Sequence, residues 1–189
     1  MQKIKVLNSE WKSCTKCDIS KRCKNKIIYN GDVPSHIVFI GRSPSWVDDS
    51  IGVAFADEAG KLFRRICNET CPPWISFSFT YLTACAPLLP EGADREPSKK
   101  EILNCLPRVV SFLKIAKPLL IVQLGDTVTK AISYVSEDLQ LMREKKLYTP
   151  MYLKLYEPSY IYRSGAEESV QYDQTIARLR NAVKEIEDR

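Results

Sequence analysis

Four short stretches of the chain are apolar almost without interruption and run into turn residues, the pattern of strands buried on both faces of a parallel sheet. They are HIVFIG (36–41), FSFTYLT (77–83), KPLLIVQLG (117–125) and MYLKLYE (151–157). Between and after them the apolar residues recur at helical spacing. DEAGKLFRRIC (57–67) sets Ala59, Leu62, Phe63 and Ile66 on one face, and DTVTKAISYV (126–135) follows Gly125. PSKKEILNCLPRVVSFLKIAKP (97–118) opens with Ser98 and Glu101 at capping-box spacing and stops at Pro118. A last helix, over about 168–187, lines Tyr172, Ile176, Leu179, Val183 and Ile186 along one stripe.

Strands alternating with helices predict an α/β fold. The expectation is a three-layer α/β/α sandwich around a short, mainly parallel four-stranded sheet. In such folds a ligand sits beyond the carboxyl ends of the strands. Those ends run into GRSPS (41–45), TACAP (83–87), GDT (125–127) and EPS (157–159), so an active site is expected from these four loops.

Composition narrows the class further. A chain of 189 residues is read as a single domain, 1–189, with a core large enough to need no staples. No run of eighteen apolar residues is present, which argues against a membrane span. The opening MQKIKVLNSEWK lacks the apolar stretch of a signal peptide, and seven cysteines without one point to a reducing, cytoplasmic setting. The net charge of +5 is concentrated at the start. Lys3, Lys5, Lys12, Lys16, Lys21, Arg22, Lys24 and Lys26 face only Glu10 and Asp18 there. Residues 1–30 thus form a basic segment attracted either to water alone or to a polyanion such as nucleic acid.

Within that segment Cys14 and Cys17 make a C-x2-C pair, a common half-site for a thiolate-bound metal. Cys85 lies just past a strand end and Cys105 on the capped helix, and both can join the pair if the segment folds back over that edge. Four thiolates suit either a [4Fe–4S] cluster or a zinc ion, and spacing does not choose between them. Cys23 offers a competing C-x2-C-x5-C arrangement. Cys67 and Cys71 form a second pair, and the plain reading of these three is free thiols. His36, the one histidine, has no catalytic neighbour in sequence and is read as structural.

The motifs, taken in order, resemble the iron–sulfur (family 4-like) branch of the uracil-DNA glycosylase superfamily. GRSPSWVDDSIGVAFADEAGKLF (41–63) is similar, without a gap, to that branch's G-E-A-P-G motif, its two acidic residues and its G-x-P-F-V-G-x-A-G segment. Gly41, Pro44, Asp48, Asp49, Gly52, Phe55, Ala59 and Gly60 fall on motif positions. TYLTACAP (80–87) resembles T-N-V-V-K-C-R-P, EILNC (101–105) resembles E-I-x-x-C, and EPSYIYR (157–163) resembles H-P-S-x-x-x-R. The resemblance runs from about residue 14 to 186. It implies a [4Fe–4S] cluster, in preference to zinc, on Cys14, Cys17, Cys85 and Cys105, tying down the N-terminal segment. It also implies a base pocket around Gly41, Ser43, Pro44 and Phe55, with Phe55 as the aromatic wall for a planar guest.

Three positions depart from the family pattern. Where the family has a glutamate, an asparagine and a histidine, this chain has Arg42, Tyr81 and Glu157. Arginine cannot act as a base, one hydroxyl cannot give a two-point readout of a pyrimidine edge, and an ionised Glu157 would repel a departing base anion. Arg42 and Glu157 are expected to form a charge-assisted bridge. The first expectation is a DNA-binding protein not equipped for standard uracil excision, with Ser159, Tyr160, Tyr162 and Arg163 as a minor-groove wedge on single- or double-stranded DNA. The alternative is a glycosylase for uracil or another modified pyrimidine, with Glu157 as base or nucleophile and Tyr81 as its hydrogen-bond partner. A monomer is expected, and a protein partner in a replication or repair complex is a third, weaker reading. Trp11, Trp46 and Trp74 are expected to be packed.

Overall fold

Alternation along the strands decides the layering. In β2 (Ile37–Gly41), Ile37 and Phe39 enter one apolar core and Val38 and Ile40 the other, and the whole strand is buried. The computed structural model describes residues 2–135 and 150–188. The same division continues through β3 (Phe77–Tyr81) and β4 (Leu120–Leu124), with Phe79, Leu120, Val122 and Leu124 on the Ile37 side and Ile121 on the Val38 side. Period-two alternation with both faces buried requires helices on both sides.

The sheet has five strands in the order β1-β3-β2-β4-β5. Four are parallel, including β5 (Met151–Leu155). The fifth is an edge strand of two residues, β1 (Asn30–Gly31), antiparallel to β3. The expected four-stranded sheet is therefore one strand short, because an Asn-Gly dipeptide has no apolar signature. Gly31 has a positive φ of 105° and its α-hydrogens face the Phe77 carbonyl, so a larger side chain does not fit there. β5 closes the other edge, with Tyr152 and Lys154 exposed.

On the Val38 face pack α1 (Gln2–Lys12), α4 (Lys99–Ala116) and α5 (Asp126–Tyr134). α1 is absent from the sequence expectation. It is rich in lysine and shows its buried stripe mainly through Leu7 and Trp11, four residues apart, packed against α4. On the Ile37 face lie α3 (Glu58–Thr70) and α7 (Val170–Glu187), the latter burying Leu179, Ala182, Val183 and Ile186. Two short helices, α2 (Trp46–Ile51) and α6 (Pro158–Arg163), follow β2 and β5 and frame the carboxyl end of the sheet. The Ser98–Glu101 capping box opens α4 as expected, and a second box, Ser45 with Asp48, opens α2.

Trp11 is buried, as expected, but Trp46 and Trp74 are 55% and 66% exposed. Trp74 uses its indole N–H on Glu187. Among the described residues no helix is long and apolar enough to cross a membrane.

Candidate functional site

The segments beyond β2 and β5, with the last residue of β3, form a cavity of about 60 Å³ walled by Gly41, Arg42, Ser43, Asp57, Tyr81, Glu157 and Ser159, among others. Ordinary ligand pockets run from roughly 300 Å³ upwards. The reason for the difference is Tyr81. It is the last residue of β3 and shares a face with Phe77 and Phe79, so the strand's own alternation sends its ring into the aromatic cluster. There it stacks on Phe55, with ring centroids 4.8 Å apart and planes inclined by 22°. Phe63 and Phe79 flank the Phe55 ring at tilted angles, and Phe55 is only 4% exposed. Phe55 lines the cavity, but the Tyr81 ring covers the face that was expected to meet a planar guest.

The tyrosine is also tied at its tip. Its hydroxyl donates to Asp48 Oδ2 at 2.7 Å and accepts from the Phe55 N–H at 2.8 Å. Burial first, and the adjacent Asp48 carboxylate second, push the Tyr81 phenol well above its ordinary pKa, so it remains protonated. Asp48 is itself buried and accepts from the Ser45 and Ala56 N–H groups as well. The hydroxyl therefore points to Asp48 and away from Glu157, which corrects the expectation of a Tyr81–Glu157 partnership. Phe55 sits at a φ of 55°, a left-handed backbone that costs a non-glycine residue of order 1–3 kcal/mol. The contact that fixes it is Gly60, where an added Cβ would lie 2.4 Å from the Phe55 carbonyl carbon. Gly41 is required for a related reason: a Cβ there would lie 2.7 Å from the Tyr81 ring and 2.8 Å from the Phe55 ring.

On the opposite wall Arg42 Nη2 meets Glu157 Oε1 at 2.9 Å, so the bridge between the first and last loops is present. Arg42 Nη1 is also held by Glu96, a residue that sequence reasoning passed over. Glu96 follows the LPEGAD segment (89–94), whose Asp94 accepts from the Trp46 N–H at 2.8 Å and so folds that loop over α2. Asp57 caps α3 through the Gly60 N–H, and burial raises its carboxyl above the usual range despite that bond. Pro44 is buried behind the cavity wall rather than lining it, whereas Gly41 and Ser43 do line it.

The third loop is a six-residue helix, α6, and its residues divide. Tyr160, Tyr162 and Arg163 are exposed. Ser159 turns inward, its hydroxyl buried, so it does not share their outward-facing surface. Beside the cavity a wider groove of about 430 Å³ runs past Glu96, Lys154, Tyr156, Tyr160 and Arg163.

The cysteines gather at the end of β3. The Ala84 N–H donates to Cys105 Sγ at 3.4 Å. Burial raises the Cys17 thiol, with Cys105 and Cys14 close enough to add to the effect. Cys85 is raised chiefly by a hydrogen bond with Cys23, and it also senses Cys105 and Cys17. Cys23 thus joins the other four, while Cys67 and Cys71 sit in the opposite core, where burial raises both. Among the described residues, no three of these side chains stand in metal-coordinating geometry. The segment that carries Cys14, Cys17 and Cys23 is docked by protein contacts. Asp49 accepts from the Lys24 and Asn25 N–H groups at 2.9 Å, and Ile27 N–H donates to Ala84 at 2.7 Å. Its basic side chains are exposed apart from a half-buried Lys26.

This architecture has known relatives. The family profile of the uracil DNA glycosylase superfamily matches residues 28–180, most of the chain and every loop of the cavity. The chain belongs to the uracil DNA glycosylase superfamily. Within the superfamily it is similar to the type-4 uracil-DNA glycosylase of Saccharolobus solfataricus, 29% identical over 144 residues that cover 76% of this chain and 64% of that protein. The type-4 enzyme of Archaeoglobus fulgidus is 30% identical over 125 residues, 66% of this chain and 61% of that protein. That of Thermotoga maritima is 24% identical over 172 residues, 87% of this chain and 86% of that protein. The chain thus spans slightly under two thirds of the length of the first two. Arg42, Tyr81 and Glu157 all line the one cavity.

Proposed function

We propose that this protein is a DNA-holding, [4Fe–4S] member of the uracil DNA glycosylase superfamily that does not excise uracil by the family's usual route. The observation that carries the reading is the Tyr81 ring stacked on Phe55, which fills the place a flipped pyrimidine would take and leaves about 60 Å³. A base could enter only by breaking the stack and both hydrogen bonds of the Tyr81 hydroxyl. Aromatic pairing at about 0.5–1.5 kcal/mol and two buried hydrogen bonds, one to a carboxylate, at about 1–3 kcal/mol each put that opening at roughly 3–6 kcal/mol. Such a cost lowers apparent affinity for a flipped base by a factor of order a hundred or more.

The polar groups agree with this reading. Arg42 is held between two carboxylates and cannot serve as a base. Glu157, engaged by Arg42, is not a free nucleophile, and its charge opposes a departing base anion. The exposed basic segment and Tyr160, Tyr162 and Arg163 on α6 supply phosphate and groove contacts. Cys14, Cys17, Cys85 and Cys105 would hold the cluster. The donor set fits it: thiols drawn from three separate segments, no histidine, and an Ala84 N–H aimed at the Cys105 sulfur. A cluster supplies a covalent staple between the basic segment and the β3–α4 region.

The test is a single-turnover assay on anaerobically purified, cluster-loaded protein, with single- and double-stranded oligonucleotides carrying uracil, thymine or hydroxymethyluracil. DNA retention without alkali-labile sites is the expected result. Strand scission that is lost in Glu157→Gln would overturn the reading and establish an altered glycosylase.

A further inference from the structure

Five cysteines, not four, gather at the end of β3, and the fifth touches one of the others. Cys23 lies half-buried and shares a hydrogen bond with Cys85. Its Sγ is also 3.7 Å from the Ser20 carbonyl oxygen, a long contact. The chain around it is held by bonds of its own. The Cys23 N–H donates to the Ile19 carbonyl at 3.0 Å, and the next two N–H groups, of Lys24 and Asn25, donate to the Asp49 carboxylate at 2.9 Å. The Ile27 N–H then donates at 2.7 Å to the carbonyl of Ala84, the neighbour of Cys85. The fold thus fixes Cys23 beside Cys85 from both ends of this stretch. Cys67 and Cys71 lie in the opposite core, away from it.

A cluster on Cys14, Cys17, Cys85 and Cys105 takes four thiolates, so the ligand set is complete without Cys23. As a ligand, Cys85 has given up its proton and can only accept a hydrogen bond. The S–H of the pair then belongs to Cys23, which has two acceptors within reach: the Ser20 carbonyl at 3.7 Å and a negatively charged sulfur. Hydrogen bonds to a charged acceptor are roughly twice as strong as neutral ones, so the sulfur wins. We propose that Cys23 is a positioning residue of the cluster site, its S–H donating to the Cys85 sulfur as the Ala84 N–H donates to that of Cys105. This rests on the cluster reading above and adds a fifth thiol to it. Donors on ligand sulfurs draw charge out of the iron–sulfur bonds and favour the more negative, reduced cluster. Cys23 therefore makes the cluster easier to reduce and holds Cys85 in place as its ligand.

The test compares anaerobically cluster-loaded wild type with Cys23→Ala, Cys23→Ser and, as a control in the opposite core, Cys71→Ser. Resonance Raman spectra of the iron–cysteine stretches, recorded in H2O and D2O, need no reduction and so read the bond whatever the cluster's potential. An EPR-monitored titration reads the potential itself. All four proteins are expected to carry the same iron and sulfide. Cys23→Ala is expected to raise the iron–cysteine stretching frequencies, to lose part of the wild-type shift in D2O, and to move the midpoint to a more negative potential. Cys23→Ser keeps a donor and is expected to stay near wild type, as is Cys71→Ser. Wild-type Raman bands with the full D2O shift in Cys23→Ala would overturn the proposal. Loss of iron from both Cys23 variants would also overturn it, by making Cys23 a ligand rather than a donor to one. Absence of iron and sulfide from the wild type would instead sink the cluster reading on which it rests.

Discussion

Replacing Tyr81 by phenylalanine isolates the interaction on which the closed pocket depends. The ring and its stack on Phe55 are retained, and only the hydroxyl is removed. Asp48 keeps its bonds to the Ser45 and Ala56 N–H groups but loses the one from the phenol. The Phe55 N–H loses its acceptor in a buried position. A hydrogen bond to a charged group is worth about 1.5–3 kcal/mol, and a buried donor left unpaired costs about 1–3 kcal/mol. The two losses share one atom and are not additive, so we expect a total of about 3 kcal/mol. For a chain of this size each kcal/mol moves the midpoint by roughly 2–4 °C, giving a fall of about 6–12 °C. Thermal and urea unfolding under anaerobic conditions, followed by tryptophan fluorescence, measure the change. Tyr162→Phe, at a position 47% exposed, serves as the control and should change stability by less than about 0.5 kcal/mol. If Tyr81→Phe behaves like Tyr162→Phe, the hydroxyl does not pin the ring and the argument for a closed pocket fails.

Gly41→Ala should destabilise the fold by about 1–3 kcal/mol, because its Cβ would press on both rings of the stack; a urea midpoint equal to wild type would contradict this. Cys14→Ser, Cys17→Ser, Cys85→Ser and Cys105→Ser should each lower the iron and sulfide content and the visible absorbance of the purified protein, whereas Cys67→Ser and Cys71→Ser should not. Glu101 is held down to about 2, first by its hydrogen bond from Arg95. A depressed carboxyl stabilises the fold fully above its unfolded pKa and loses that contribution as pH falls through the folded value. The urea midpoints of wild type and Glu101→Gln should therefore differ at neutral pH and converge between about pH 4.5 and 2. Solvent screening at this surface pair limits the difference to about 1 kcal/mol, and a gap that widened on acidification would reverse the assigned sign.

The parallel core was legible because its strands are continuous apolar runs and its helices carry caps and stripes. β1 was not, since two residues reading Asn-Gly look like a turn. α1 was not, because only Leu7 and Trp11 interrupt its polar surface with burial. Of the four loops that the carboxyl-end rule selected, 41–45 and 157–159 line the cavity, 125–127 lines the neighbouring groove, and 83–87 lines neither. The bridge between Arg42 and Glu157 was legible, but the Tyr81–Phe55 stack was not, although a signal existed: Phe77, Phe79 and Tyr81 alternate along β3, which sends the tyrosine to the Phe55 side. Glu96 and Asp94 could not be read as site residues, because their reach depends on how an inserted loop folds over α2. Ser159 and Pro44 show the converse limit, since motif position alone does not say which way a side chain faces.

The most direct test of the closed pocket is a crystal structure of the cluster-loaded protein bound to a duplex carrying a single uracil. The account predicts Tyr81 still stacked on Phe55, its hydroxyl on Asp48, and the uracil stacked within the helix. A uracil ring lying on Phe55, with Tyr81 swung aside and Glu157 released from Arg42, would contradict it.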